Sequence, residues 1–259
     1  MKVTVLIENT ALREDLTAEH GLSLLIETGS HTILFDAGQT GAFADNAQKL
    51  GIDLSKVDFC ILSHGHYDHG GGLKRFLEVN DHAPVYLSRY SFGEYFSSGK
   101  YIGLDPALEG NPRLIPVADV LEIAEGLTLC SCNDLLRPFS FGVFGQSVRK
   151  NQLHTDDDYL HEQYLLLEEA GKKYCFSGCS HKGLLNILSW FRPDVFFGGF
   201  HFIRMDPQGK ELRDAIRNLK DYSTRYFTGH CTGQEQYAVL KESLGDRLHY
   251  LHTGTMVEL

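Results

Sequence analysis

Short apolar runs closed by glycine or by a polar turn recur along the whole chain and set its rhythm. Residues 3–7, 21–27 and 32–35 read as strands, the last two joined by Thr28-Gly29-Ser30-His31, so the chain starts as a meander. Residues 41–50 put Phe43, Ala47 and Leu50 on one helical face, and Gly51 stops that helix. The run Val57, Phe59, Cys60, Ile61, Leu62 predicts a buried strand, which delivers Ser63-His64-Gly65-His66-Tyr67-Asp68-His69-Gly70 at its end. Gly70, Gly71 and Gly72 allow close backbone approach before a helix that begins near Leu73, and residues 85–87 give the next strand.

From about 88 to 158 the pattern loosens. Strands are expected only at 114–117 and 127–132, among many aromatic residues: Tyr90, Phe92, Tyr95, Phe96, Tyr101, Phe139, Phe141 and Phe144. Long irregular stretches in enzymes are usually lids or binding loops, so this one is expected to be a substrate-covering insertion. Its Arg137, Arg149 and Lys150 are either solvated surface or contacts for an anionic group.

Strand and helix then alternate. Strands are expected at 164–168, 173–176, 194–197, 226–227, 247–251 and 255–259, with helices at 183–190, 211–219 and 234–244. Three of these strands stop at glycine followed closely by histidine: Ser177-Gly178-Cys179-Ser180-His181, Gly198-Gly199-Phe200-His201 and Thr228-Gly229-His230-Cys231-Thr232-Gly233. No linker rich in proline or serine interrupts the pattern, so residues 1–259 read as one domain.

Composition narrows the partners. With 42% hydrophobic and 22% charged residues the chain is an ordinary globular one, and no run has the length of a membrane span. The first residues lack the apolar core of a secretory signal, which makes the cytoplasm the expected location. A net charge of -10 argues against nucleic acid and against anionic membrane as partners. A small-molecule substrate, anionic groups included, stays open because bound cations would make one pocket locally positive. A homo-oligomer also stays open. The six cysteines are spread through the chain and read mostly as reduced, buried thiols.

The chemistry concentrates in the knot at 63–70. In an extended segment alternate residues share a face, so His64 and His66 can aim at one ion, while Asp68 and His69 follow a turn and can aim at another. Imidazole and carboxylate suit zinc, iron and manganese. Asp36, in Phe35-Asp36-Ala37-Gly38 at a neighbouring strand end, is expected to support these ligands from behind. The knot lacks the partners two metals need, and the three later strand ends are where they should come from.

Ser63 to Gly70 resembles the His-x-His-x-Asp-His signature of the metallo-β-lactamase superfamily, and Asp36 resembles that family's first motif. The Ala18-Glu19-His20-Gly21-Leu22-Ser23 segment and the three late strand ends resemble a narrower branch, typified by the archaeal dihydropterin ribofuranosyl-aminobenzene 5'-phosphate synthases. The resemblance implies an α/β protein, a four-layer αβ/βα sandwich with a dinuclear site. It implies that His64 and His66 bind one metal, that Asp68 and His69 bind the other, and that His230 completes the second. Cys179 stands where most members carry a bridging aspartate, and Cys179 and His181 both enter the expected ligand set. The third protein ligand of the first metal stays open between His154, His161 and His181. His201 is expected beside the substrate.

The expected cofactors are two divalent ions, zinc first, with iron or manganese as alternatives. Such a pair brings water to a metal-bound hydroxide near neutral pH, for attack on a carbonyl or phosphoryl centre with Asp68 orienting it. His201, Tyr67 or Lys182 would stabilise charge or protonate a leaving group. The expected function is a metal-dependent hydrolase, or hydrolase-like transferase, of a small phosphorylated or pterin-like substrate. The alternatives are a lactone or thioester hydrolase of the same fold, and a catalytically silent metal-binding or sensory module, which the cysteine at position 179 motivates.

Overall fold

The computed structural model describes residues 1–140 and 144–259, so Phe141 of the aromatic stretch lies outside the described residues. The first part of the chain runs β1 (Lys2–Ile7), β2 (Ser23–Glu27), β3 (Thr32–Phe35), α1 (Ala42–Lys49), β4 (Phe59–Ile61), the single turn α2 (Tyr67–Gly70), α3 (Leu73–Val79) and β5 (Val85–Ser88). The middle holds β6 (Glu94–Ser97), β7 (Lys100–Tyr101), β8 (Leu114–Val117), β9 (Val120–Ala124), β10 (Leu127–Cys130), β11 (Gln146–Lys150) and β12 (Leu153–Asp156). The last part is β13 (Tyr164–Glu169), β14 (Lys172–Phe176), α4 (Leu184–Phe191), β15 (Val195–Phe197), α5 (Lys210–Leu219), β16 (Arg225–Thr228), α6 (Gln234–Leu244), β17 (Leu248–Tyr250) and β18 (Met256–Glu258).

Two seven-stranded sheets form, ordered β18-β1-β2-β3-β4-β5-β8 and β17-β16-β15-β14-β13-β10-β9. In each, an antiparallel portion leads into a parallel run: β3, β4, β5 and β8 in the first, β14 to β17 in the second. Alternation along the strands sorts the side chains into three apolar layers. Val3, Val5, Phe35 and Ile61 of the first sheet face Tyr174, Phe176, Phe197 and Phe227 of the second. On the outer side of the first sheet Leu6, Leu34 and Cys60 pack on Phe43 and Ala47 of α1 and Phe76 of α3. On the outer side of the second, Cys175, Phe196 and Tyr226 pack on Leu184, Leu212 and Leu240 of α4, α5 and α6. This is the expected four-layer αβ/βα sandwich.

The pairings Phe176↔Phe197 and Phe197↔Phe227 bring three parallel strands level. Their rings stack nearly face to face, with centroids 4.9 and 4.6 Å apart. The carboxyl ends of β14, β15 and β16 therefore stop side by side, facing the end of β4.

The stretch expected to be irregular is more ordered than that. β8, β9 and β10 belong to the two large sheets, and β12-β11-β6-β7 make a separate four-stranded sheet. No helix among the described residues is long and apolar enough to cross a membrane.

Candidate metal centre

Each donor sits where a parallel strand runs out, the usual ligand-binding edge of such sheets. Asp36 follows β3, the knot at 63–70 follows β4, Cys179 and His181 follow β14, His201 follows β15 and His230 follows β16. Asp36, Ser180, His201 and His230 all adopt left-handed backbone (φ 59, 59, 57 and 48°). Such strained conformations persist where the surrounding structure enforces them, and they gather at functional sites. Gly178 lets the two halves meet: a Cβ there would lie 2.1 Å from Ser63 Oγ and 2.9 Å from His64 Nδ1.

Two groups of buried donors share one sulfur, and His66, Asp157 and His161 form a further buried group. His64, Cys179 and His181 form the first, and His69, Cys179 and His230 the second, with Asp68 beside His230. His64 Nε2 and His181 Nε2 are 3.3 Å apart, as are His230 Nε2 and Asp68 Oδ2. Cys179 Sγ to His69 Nε2, and His69 Nε2 to His230 Nε2, are each 3.2 Å. Ligands on one tetrahedral zinc, at its usual bond lengths to nitrogen and sulfur, lie about 3.3 to 3.6 Å apart, so these separations fit a metal. His66 lies against both His64 and His181, with ring centroids 4.6 and 4.9 Å away. Its Nε2 is buried without a hydrogen-bond partner, as is His181 Nδ1. A buried imidazole nitrogen left without a partner is costly unless a cation takes its lone pair.

Partners behind the donors fix which nitrogen is bare. Asp36 Oδ2 accepts from His69 Nδ1–H and from the Ser63 hydroxyl, both at 2.7 Å. Ser63 Oγ in turn accepts from His64 Nδ1–H at 2.8 Å. Asn9 Oδ1 takes the Nδ1–H of His230 at 2.9 Å, and Glu8 Oε1 takes its backbone N–H. Three imidazoles thus turn their Nε2 lone pairs to the centre, held as metal-binding histidines are. Glu162, fully buried, accepts the backbone N–H groups of His181 and Lys182 and holds the loop after β14 in place.

Burial pushes His64 and His181 well below the ordinary imidazole range, with neighbouring rings adding to the effect. The same cause takes His66 down to about 3 and His201 and His230 to about 4, so these rings stay neutral and keep a lone pair. His69 goes the other way: burial opposes its charge, but Asp36 and Asp68 outweigh it. Burial also disfavours the Asp68 carboxylate, yet His69, His20 and His230 together keep it ionised. The Cys179 thiol is raised by burial and then by Cys231. A bound cation reverses that preference, because a coordinating thiol loses its proton.

Three histidines, His154, His161 and His181, are the candidates for a first metal's third ligand. His181 is placed beside His64 and Cys179, and His161 beside His66 and Asp157. His161 spends both nitrogens, accepting from Gly65 N–H and meeting Asp157 at 3.1 Å. His154 is exposed on β12, its ring against Phe96. Lys182 does not face the reaction space, since its buried ammonium donates to the carbonyls of Ser131 and Glu162. Arg137 donates to the Asp158 carbonyl, Arg149 pairs with Glu94 and Lys150 with Asp158, so none lines the cleft. Glu8, Asn9, His20 and Glu162 were missed as site residues, the third despite lying in a recognised segment. His20 Nε2 is 3.3 Å from Asp68 Oδ2.

Above the donors opens a cleft of about 520 Å³, with His66, Asp68, Cys179, His181, His201 and His230 in its lining. Its rim comes from Tyr67, from Ser97, Ser98, Lys100, Ile102 and Gln146 of the small sheet and its loops, and from Ile203 and Arg204. Among the described residues, the aromatic side chains of the middle stretch do not line it. Tyr95 instead packs on His161 and Phe144 on His201.

Residues 16–126 match the model of the metallo-beta-lactamase superfamily. Over its full length the chain is 27% identical to 7,8-dihydropterin-6-methyl-4-(beta-D-ribofuranosyl)-aminobenzene-5'-phosphate synthase of Methanocaldococcus jannaschii, covering 96% of that protein. An uncharacterized protein of the same organism is also 27% identical, over 98% of this chain and 99% of its own. Among solved structures, Tm1679, described as a metal-dependent hydrolase of the beta-lactamase superfamily, superposes with a TM-score of 0.84 at 26% identity, covering 100% of this chain and 99% of that one.

Proposed function

We propose that the chain is a member of the metallo-β-lactamase superfamily, and within it a dinuclear metal-dependent hydrolase, or hydrolase-like transferase, of a small phosphorylated or pterin-like substrate. The observation that carries this reading is the pair of buried donor groups joined through Cys179 on the floor of one cleft. Similarity to the M. jannaschii synthase supports the phosphorylated, pterin-like class.

His64, His66 and His181 would hold one ion and Asp68, His69 and His230 the other, with Cys179 between them. Two divalent ions bound there supply water activated at neutral pH and polarise the electrophile's oxygen. The protein's own part is orientation and proton handling. Asp68, ionised and facing the cleft, holds the attacking water's proton through its carboxylate. His201 is neutral above about pH 4, so it stabilises developing charge by donating an N–H hydrogen bond rather than by acting as a charged acid. Tyr67, on the rim, offers a hydroxyl to the leaving side.

The test is metal content followed by turnover. The chain, grown or reconstituted with zinc, iron or manganese, is expected to carry close to two ions, and to turn over at least one of phosphoesters, lactones or thioesters. His66→Ala and Asp68→Ala should abolish that turnover. A chain that takes up no metal refutes the reading outright. Full loading without turnover in any class makes the protein a metal-binding module instead.

A further inference from the structure

We propose that Ser98, Lys100 and Arg204 form an anion subsite on the rim of the cleft, which takes the phosphate group of the substrate. It rests on reading the cleft as a substrate site above bound metals.

Ser98 lies in the tight turn of the β6–β7 hairpin and Lys100 directly follows it, with Ser98 and Gly99 both left-handed (φ 49 and 79°). That turn hangs the two side chains over the cleft. Arg204 arrives from the other wall, three residues after His201. Gly145 joins the two walls: Ser98 N–H donates to its carbonyl at 3.1 Å. A Cβ on Gly145 would lie 3.7 Å from Ser98 Oγ and 3.9 Å from Arg204 Nη1, so hydroxyl and guanidinium flank one bare backbone position.

The donors are available. Among the described residues, the Lys100 ammonium and the Ser98 hydroxyl have no hydrogen-bond or ion-pair partner. Arg204 spends one N–H on the Phe144 carbonyl and keeps the rest of its fork. Two other cations of the middle stretch are neutralised, Arg149 by Glu94 and Lys150 by Asp158, while Arg113 and Arg137 spend their N–H groups on protein oxygens. In a chain of net charge -10, two unneutralised cations on one cleft rim point to an anionic group. Asp68 is the only carboxylate among the described lining residues, and it sits with the candidate metal donors on the floor. Guanidinium, ammonium and hydroxyl together match a phosphate's acceptor oxygens.

Calorimetric titration with inorganic phosphate tests this on the zinc-loaded chain and on the chelated chain. Lys100→Gln and Arg204→Gln should each raise the phosphate Kd about tenfold or more, as expected for losing one charge-assisted hydrogen bond. Lys100→Arg, which keeps the charge, should bind as the wild type does. Chelated wild type should still bind phosphate, more weakly, and the double variant should not. Phosphate held by the metals alone would disappear on chelation and leave Kd unchanged in both variants. That result overturns the subsite while leaving the metal site standing. Failure to take up zinc removes the metal reading, and the subsite is then overturned if the metal-free wild type binds phosphate no better than the double variant. Circular dichroism melts confirm that the variants fold, which is expected because both side chains are exposed.

Discussion

Asp36 controls both donor groups, which makes Asp36→Asn the most informative single change. Its buried carboxylate accepts three hydrogen bonds of 2.7 Å, from Ser63 N–H on Oδ1 and from Ser63 Oγ–H and His69 Nδ1–H on Oδ2. Asparagine keeps the shape but replaces one acceptor with an N–H donor pair. The Ser63 backbone N–H cannot turn away, so the amide oxygen stays with it and the amide N–H faces His69 Nδ1. That ring must then carry its proton on Nε2, the atom 3.2 Å from both Cys179 Sγ and His230 Nε2. A protonated Nε2 has no lone pair for a cation. Losing a carboxylate behind a ligand imidazole costs about 10- to 100-fold in metal affinity, or about 1.4 to 2.7 kcal/mol. His64 is oriented only through the Ser63 hydroxyl and should lose less, so zinc competition against a chromophoric chelator should show one weakened site and one nearly normal one. Ser63→Ala, which leaves the direct His69 contact, is the comparison and should cost less at the His69 group. Unchanged affinity in a folded Asp36→Asn protein would refute the tautomer argument.

Two further outcomes follow from the core and from the thiols. Phe197 is fully buried between Phe176 and Phe227, and Phe197→Ala should destabilise the chelated protein by about 3–5 kcal/mol, read as a melting temperature lower by about 6–20 °C. A drop of under about 2 °C would mean that the ladder carries no such weight. Cys130 lies 3.2 Å from Cys132, and the hydrogen bond from that thiol draws it down to about 7, while burial raises Cys60, Cys175 and Cys179. Alkylation of the metal-free chain should therefore show one fast thiol whose rate climbs as pH rises through about 7, and Cys130→Ser should remove it; a fast phase that survives the substitution contradicts this assignment.

The frame of the fold was legible because its strands are buried on both faces and end in glycine. Apolar runs such as Val195–Phe197 admit few other readings once bounded by Asp194 and Gly198-Gly199. The small sheet was not legible, since β7 and β12 are exposed at every position and show no apolar alternation. The histidines at strand ends stood out by residue type alone. Their supporting groups did not: Glu8 and Asn9 reach His230 from more than 200 positions away, and no local pattern marks them. The choice among His154, His161 and His181 depended on how the loop after β14 meets Ser63 and His64. That contact is set by packing at Gly178, which spacing along the chain does not encode.

Neither half of the sandwich owns a complete donor group. His64, His66, Asp68 and His69 stand on the first sheet, and Cys179, His181 and His230 on the second, so each proposed ion would bridge the halves. Binding energy spent on the ions is then also energy that holds the sheets together, because the unfolded chain offers no such site. The stacked phenylalanines beneath the second sheet's donors keep three strand ends level without metal. The metal-free protein should therefore remain folded while opening most readily where Gly178 meets Ser63. The core pre-builds the site, and ions bound there would lock it, offsetting the cost of burying imidazoles, a carboxylate and a thiol together where two sheets meet.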